Sequence, residues 1–364
     1  MNSSFSSLKK FLIGVFLLIS QVAWAQDANE LFSTANNFIR TGDYANAILV
    51  LNQALQLEPD NIQFRKQLGF AYYLRGDMNK AKSVIDPLLD KKEADAQMFQ
   101  IAGNIYQAKE DWKGAQRLYD RAIRRFPESG ELYNDNGQLL AVLKMNDGAL
   151  TNWLKGIEKD PNFPGNYYNA ARAYYYSKDP VWAILYGEIF VNLESYTNRT
   201  AEMRDILIES YKKLYSNPDM LSAPVPEMDE GGKKSRRGKS AGSGSDFVNV
   251  YRQLMSKQTS VISSGIDPDA LIMLRTRFLL DWYNFYGFKY PFALFDLQRR
   301  LLKAGLYEAY NQWLFGPVAS QATFRSWTNL HKAEYDKFMQ YQRNHPFKLR
   351  ADEYYNDGRF SLNR

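Results

Sequence analysis

The sequence predicts an all-α protein: an array of about five helix-turn-helix repeats, a capping helix, and then a separate C-terminal helical domain. Three observations predict it. Alanine recurs at Ala47, Ala81, Ala115, Ala149 and Ala183, an unbroken spacing of 34 residues. A second series of small residues, Ala35, Gly69, Gly103, Gly137 and Ala171, keeps the same beat, and a fixed period of this size marks stacked supersecondary units. No strand-type alternation of apolar and polar residues runs through the chain.

Residues 1–25 read as a secretory signal peptide. Lys9 and Lys10 precede an apolar run from Phe11 to Ile19, and Ala23-Trp24-Ala25 supplies small residues at the two positions a signal peptidase reads. A membrane anchor needs roughly 20 apolar residues, and this run is too short. No cysteine follows the cleavage site, which argues against a lipid anchor. The expected mature chain starts at Gln26, is exported, and is soluble in the periplasm, with no transmembrane segment.

Residues 26–215 carry the array and its cap. Small residues at two fixed phases let paired helices approach closely. Large residues fill the gaps: Phe38, Tyr72, Tyr106, Leu140 and Tyr174 on the first helix, and Leu51, Ile85, Tyr119 and Trp153 on the second. Pro59, Pro127 and Pro161 end the second helices, because proline lacks an amide donor and clashes with the preceding turn. Glu93 breaks that proline series. The pattern resembles the tetratricopeptide repeat, over about Ala28 to Phe190, with repeats starting near Ala28, Ile62, Ala96, Gly130 and Pro164.

The resemblance implies a superhelix whose first helices line a concave groove for partner peptides or helices. Carried onto this chain, the groove includes Phe32, Asn36, Lys66, Phe70, Tyr73, Gln100, Asn104, Gln107, Asn134, Gln138, Tyr168, Arg172 and Tyr175. Amide side chains donate and accept, so they suit an extended backbone, and tyrosine adds rigid contact area with a polar tip. The family's carboxylate clamp needs lysine and asparagine on one groove-facing helix. Lys66 lacks the asparagine, while Asn36 and Asn104 lack the lysine, so a clamp is not expected.

After the fifth repeat the beat stops. Thr200 to Tyr215 reads as one helix, with Met203, Ile206, Leu207, Tyr211 and Leu214 at helical spacing, and terminal repeats need such a cap. Residues 216–245 read as a flexible charged linker: no aromatic residue, three prolines, and a Gly/Ser-rich end. An acidic cluster (Glu227, Asp229, Glu230) precedes a basic one (Lys233, Lys234, Arg236, Arg237, Lys239). Two readings stand side by side: a peripheral tether to acidic surfaces, or a solvated spacer.

Residues 246–364 read as a C-terminal α-helical domain, with helices at Asp246–Lys257, Pro268–Phe285, Tyr290–Ala304, Leu306–Phe315 and Gln321–Gln342. Asp267-Pro268 marks one helix start. The stretch from Leu274 to Pro317, with its Trp282-Tyr283, Pro291 to Phe295 and Tyr310 to Trp313 clusters, resembles a domain behind repeat arrays in exported proteins of Gram-negative Bacteroidota. That resemblance implies an envelope context and no activity. Most of its aromatic residues belong to a core. Tyr283, Tyr286, Phe288 and Tyr290, nearest the turn at Gly287, are the candidates for an exposed docking surface.

Chemistry is sparse. The chain has no cysteine and two histidines, His331 and His345, far from metal-ligand spacing. No phosphate loop or nucleophile elbow is present. No catalytic residue, metal or cofactor is expected. The formal net charge of +6, from 46 basic and 40 acidic residues, is too modest for a nucleic-acid binder. The function that follows is a non-catalytic scaffold for other envelope proteins, within an outer-membrane secretion or assembly complex. The alternative is a glycan- or peptidoglycan-binding or -modifying C-terminal domain, stacking Trp282 and Trp313 on sugar rings.

Overall fold

A computed structural model describes residues 27–176, 179–222, 244–350 and 352–353. The expected signal peptide and most of the expected linker, including both charge clusters, lie outside the described residues. Every described element is helical. The chain divides into two compact units, one ending at Pro127 and one beginning at Glu128.

The first unit holds three helical hairpins: α1 (27–41) with α2 (Tyr44–Leu57), α3 (Ile62–Leu74) with α4 (Met78–Ile85), and α5 (Ala96–Ala108) with α6 (Trp112–Arg125). The small-residue phase works by direct fit. A Cβ on Gly69 would collide with the Ile85 side chain, and one on Gly103 with the Tyr119 ring and hydroxyl. Each small residue therefore receives the large residue sixteen positions later, and packing this close leaves no room for an added methylene.

The turns inside the hairpins repeat as well. Gly42 and Gly76 have φ of 82° and 88°, and Glu110 takes φ of 57° at the corresponding place. Asp43, Asp77 and Asp111 follow as N-caps, their carboxylates accepting from the backbone N–H of Asn46, Lys80 and Gly114 at 3.2, 3.4 and 2.9 Å. Such caps satisfy helix-start donors that have no partner within the helix. Glu93 breaks the proline series for a structural reason. α4 has only 8 residues and passes into a short 3₁₀ turn at Asp86–Leu88 that contains Pro87. Proline at that earlier position has already stopped the helix.

The second unit continues with α7 (Gly130–Val142), α8 (Asn146–Lys159), α9 (Pro164–Tyr176) and α10 (Pro180–Leu193), then the cap α11 (Asn198–Ser216) and a short α12 (Pro218–Leu221). Beyond the undescribed stretch come α13 (Gly244–Ser256), α14 (Pro268–Phe285), α15 (Ala293–Lys303), α16 (Tyr307–Ala319), α17 (Gln321–Leu330) and α18 (Lys332–Asn344). The Gly137–Trp153 contact repeats the fit seen in the first unit. In the fifth repeat the large residue is replaced by Gly187, where a Cβ would lie 2.9 Å from Met203 Sδ and 3.0 Å from Leu207. The cap helix fills the space that earlier repeats fill from within.

The C-terminal helices do not form a core of their own. One cluster of buried residues runs from Leu140 through α9, α10 and α11 to Leu349. The cause is α10, in which Pro180 to Val191 are all buried. A helix that is apolar all round must be covered on every side, and α11 covers only one flank. Polar contacts seal the join: Arg252 pairs with Asp179 at 2.9 Å, the Tyr215 hydroxyl donates to the Met255 carbonyl at 2.8 Å, and Asn162 exchanges two bonds with the Leu349 backbone at 2.8 and 2.9 Å.

At the centre of that core lies a buried ion pair. Glu188 of α10 accepts from Arg275 of α14, from Gln298 at 2.6 Å and from the Tyr310 hydroxyl at 2.7 Å. Arg275 donates in turn to Asn311 at 2.5 Å. Burial alone depresses an arginine's pKa, yet Glu188 and the nearby tyrosines hold that of Arg275 well above its ordinary value. Among the expected C-terminal helices, the last is two. It breaks at His331, which leaves the helical region (φ −106°, ψ 35°) and stacks on Trp327 at 4.8 Å. α16 runs past its expected end at Phe315, with Pro317 inside its last turn.

Candidate functional site

In the first unit the first helices of the hairpins present most of the expected groove residues at or near the surface. Asn36, Phe70, Tyr73, Gln100 and Gln107 are half-buried and Asn104 is exposed. Phe70 and Tyr73 stack with centroids 6.4 Å apart, and Gln107 donates to the Tyr119 hydroxyl at 3.2 Å. Two expected residues are corrected. Phe32 stacks on Phe64 at 4.9 Å and packs against the core. Lys66 is buried, its ammonium donating to Asp95 at 2.8 Å and Gln97 at 3.0 Å. Asp95 also caps α5, so the lysine neutralises a carboxylate fixed by the next repeat.

In the second unit Gln138 is exposed, while Asn134 is buried and accepts from the Asn169 amide at 2.8 Å. Asn134 thus serves the seam between α7 and α9 rather than a groove. Tyr168 is also buried. Its hydroxyl donates to Glu202 at 2.5 Å, and burial, then that carboxylate, raise its pKa despite Arg172 nearby. Arg172 pairs with the same Glu202 at 3.1 Å and stays half-exposed. Tyr175 is half-buried, and its carbonyl accepts from Lys213 at 2.9 Å.

Among the clefts of this unit, one of about 440 Å³ lies between α8 and α9. Arg172 and Asn169 line one side, with Tyr176 at its edge 76% exposed. Asn146, Asp147, Leu150 and Trp153 line the other. Trp153 shares its phase with the core residues Leu51, Ile85 and Tyr119, so period alone hides its second role. Tyr176 carried a visible signal, being the third tyrosine of a run on a first helix whose inner face needs only Tyr174.

The expected aromatic docking surface is largely spent. Tyr290 is 4% exposed and packs against Phe247 and Trp282. The Tyr283 hydroxyl donates to Asp296 at 2.5 Å with Arg299 over its ring. Tyr286 is half-buried, and only Phe288, at 85% exposure, faces solvent. Trp282 and Trp313 are buried, at 0% and 3% exposure, so neither offers a ring face to a sugar. The reason is the core shared with α10, which draws these rings inward.

Residues 38–105 and 102–167 match two models of the tetratricopeptide repeat, and the hairpins over that span are tetratricopeptide repeats. Several solved structures are similar. PilF of Pseudomonas aeruginosa has 16% identity over 54% of this chain and 88% of that one, with a TM-score of 0.45. TTC0263 of Thermus thermophilus has 15% identity over 51% and 98%, at 0.41. YrrB, described as a TPR protein with an unusual peptide-binding site, has 20% identity over 51% and 92%, at 0.35. Among the described residues, no helix is long and apolar enough to cross a membrane.

Proposed function

We propose that this protein is a non-catalytic scaffold of the cell envelope that holds partner peptides or helices against the first helices of its repeats. The cleft between α8 and α9 is the observation that carries the reading. It joins apolar wall (Leu150, Trp153), a cation (Arg172) and an exposed ring (Tyr176), the mixture that recurs at protein-binding sites. In the first unit, taken by itself, Tyr73 and Asn104 offer a ring and an amide of the same kind. The partners are other envelope proteins, and a secretion or assembly complex of the outer membrane is the setting that export supports.

The test is co-purification from cross-linked envelopes. The full-length chain should retain a partner set that falls at least tenfold with Tyr176→Ala and Arg172→Glu, and likewise with Tyr73→Ala and Asn104→Ala. Recovery of the protein alone overturns the reading. Edman sequencing of the mature chain checks export separately, with Gln26 as the expected first residue.

A further inference from the structure

We propose that a second cleft, at the C-terminal end of α10, binds the C-terminal residue of a peptide: an apolar side chain beside a free carboxylate. This cleft lies within the second unit, walled by α10, α15, α16 and α18 and closed by the segment after His345. Its volume is about 270 Å³. That is room for one large side chain and its carboxylate, and below the usual size of a small-molecule pocket.

The lining has a polarity. Leu297, Leu301 and Phe338 form an apolar wall, and Arg343 and His345 stand at the rim. No aspartate or glutamate is among the residues that line it. Among the described residues Arg343 has no carboxylate partner, and neither has the neighbouring Arg204, which stacks over Trp313 at 4.5 Å with its Nε unbonded. Both arginines act on the Tyr196 hydroxyl at the cleft edge: burial raises its pKa, and the two cations oppose the rise. One unneutralised guanidinium on the rim of an apolar slot, that of Arg343, with Arg204 behind Tyr196, favours an anion carrying a greasy substituent.

The floor limits the choice further. Asn192 commits both amide hydrogens, one to the Glu188 carbonyl and one to the Tyr310 hydroxyl, each at 2.8 Å. Its carbonyl oxygen is what remains, an acceptor suited to a ligand amide N–H. His345 holds Nδ1 2.9 Å from the Tyr341 carbonyl, a contact that needs the proton on Nδ1 and leaves Nε2 to the rim. An amide N–H, an apolar side chain and a carboxylate on one carbon are what a terminal residue presents.

Calorimetric titration of the full-length protein tests this with three probes: a glycine-rich hexapeptide ending in leucine as free acid, the same peptide as C-terminal amide, and N-acetyl-leucine. The acid should bind at least tenfold tighter than the amide. Arg343→Gln, at an exposed position, should erase that preference while leaving the melting temperature unchanged. Leu193→Trp, on the half-buried wall, should block both peptides, and Tyr73→Ala should change nothing. Equal binding of acid and amide, no binding at millimolar peptide to folded protein, or an acid preference that survives Arg343→Gln each overturns the proposal. N-acetyl-leucine binding as tightly as the hexapeptide overturns the peptide assignment in favour of a free acylated amino acid.

Discussion

Gly42, Gly76, Glu110 and Lys144 occupy one place in four successive turns, and all four have positive φ. Glycine adopts this region freely, whereas a residue with a Cβ costs about 1–2 kcal/mol there. Glu110→Gly and Lys144→Gly should therefore each raise stability by about 1 kcal/mol, and Gly76→Ala should lower it by a similar amount, read as shifts in denaturation midpoint. No atom lies within 4 Å of a Cβ built at Gly76, so the loss there reports backbone conformation alone. This series escaped the reading of the sequence because half its members are not glycine. The opposite holds for Glu188 and Arg275, whose pairing spans 87 residues and has no local signature. Removing one partner from a buried pair leaves an uncompensated charge, typically at a cost of 3–5 kcal/mol. Glu188→Ala should lose about that much, and Glu188→Leu combined with Arg275→Leu should recover most of it in thermal melts.

At the scale of elements, the period of 34 residues was legible because it is set by neighbours in the chain: a small residue, its large partner sixteen positions on, and a stop. The fit predicts its own test. Gly103→Ala drives a methyl into Tyr119 and should cost about 1–3 kcal/mol. Adding Tyr119→Leu should restore part of that loss, since Leu51 sits opposite Ala35 in the first repeat. Scanning calorimetry of the two variants separates the outcomes; no rescue means the strain lies elsewhere. The break at His331 was less legible, because Trp327, His331 and Tyr335 keep helical spacing across it. The groove was half legible for a similar reason. Spacing places Lys66, Asn134 and Tyr168 on the correct helices, but only the following element's Asp95, Asn169 and Glu202, the last on the cap helix α11, decide that they are used internally.

For the molecule as a whole, the shared core of the second unit sets how it fails. α10 reads as apolar on every face in the sequence, a signal that it needs more cover than one cap helix supplies. Deleting residues 244–364 should leave repeats that bind a hydrophobic dye or precipitate, and a soluble, dye-silent remnant would contradict the single core. The same core holds tyrosines that burial keeps protonated. Tyr211 is pushed up to about 12, and Tyr251, Tyr307 and Tyr310 are raised as well. A raised folded pKa stabilises fully below the unfolded value of about 10 and is lost as pH climbs through the folded one. Each such tyrosine should cost about 1.4 kcal/mol per pH unit above pH 10. Unfolding should therefore set in steeply between pH 10 and 12, with phenolate absorbance rising together with the loss of helix rather than before it.

Gly187 carries a consequence for how such a chain lengthens over generations. Tandem duplication of a 34-residue block copies every fit that a hairpin makes within itself, so the second or third hairpin can be copied and still find its own large residue opposite its own small one. The fifth cannot. The side chains nearest its notch are Met203 and Leu207 of α11, so a copied fifth block set mid-array would lack the pair that fills it. The fit at Gly187 therefore favours growth of the array upstream of the fifth block over growth at its C-terminal end. The count of repeats can drift while the junction with α11 stays constant.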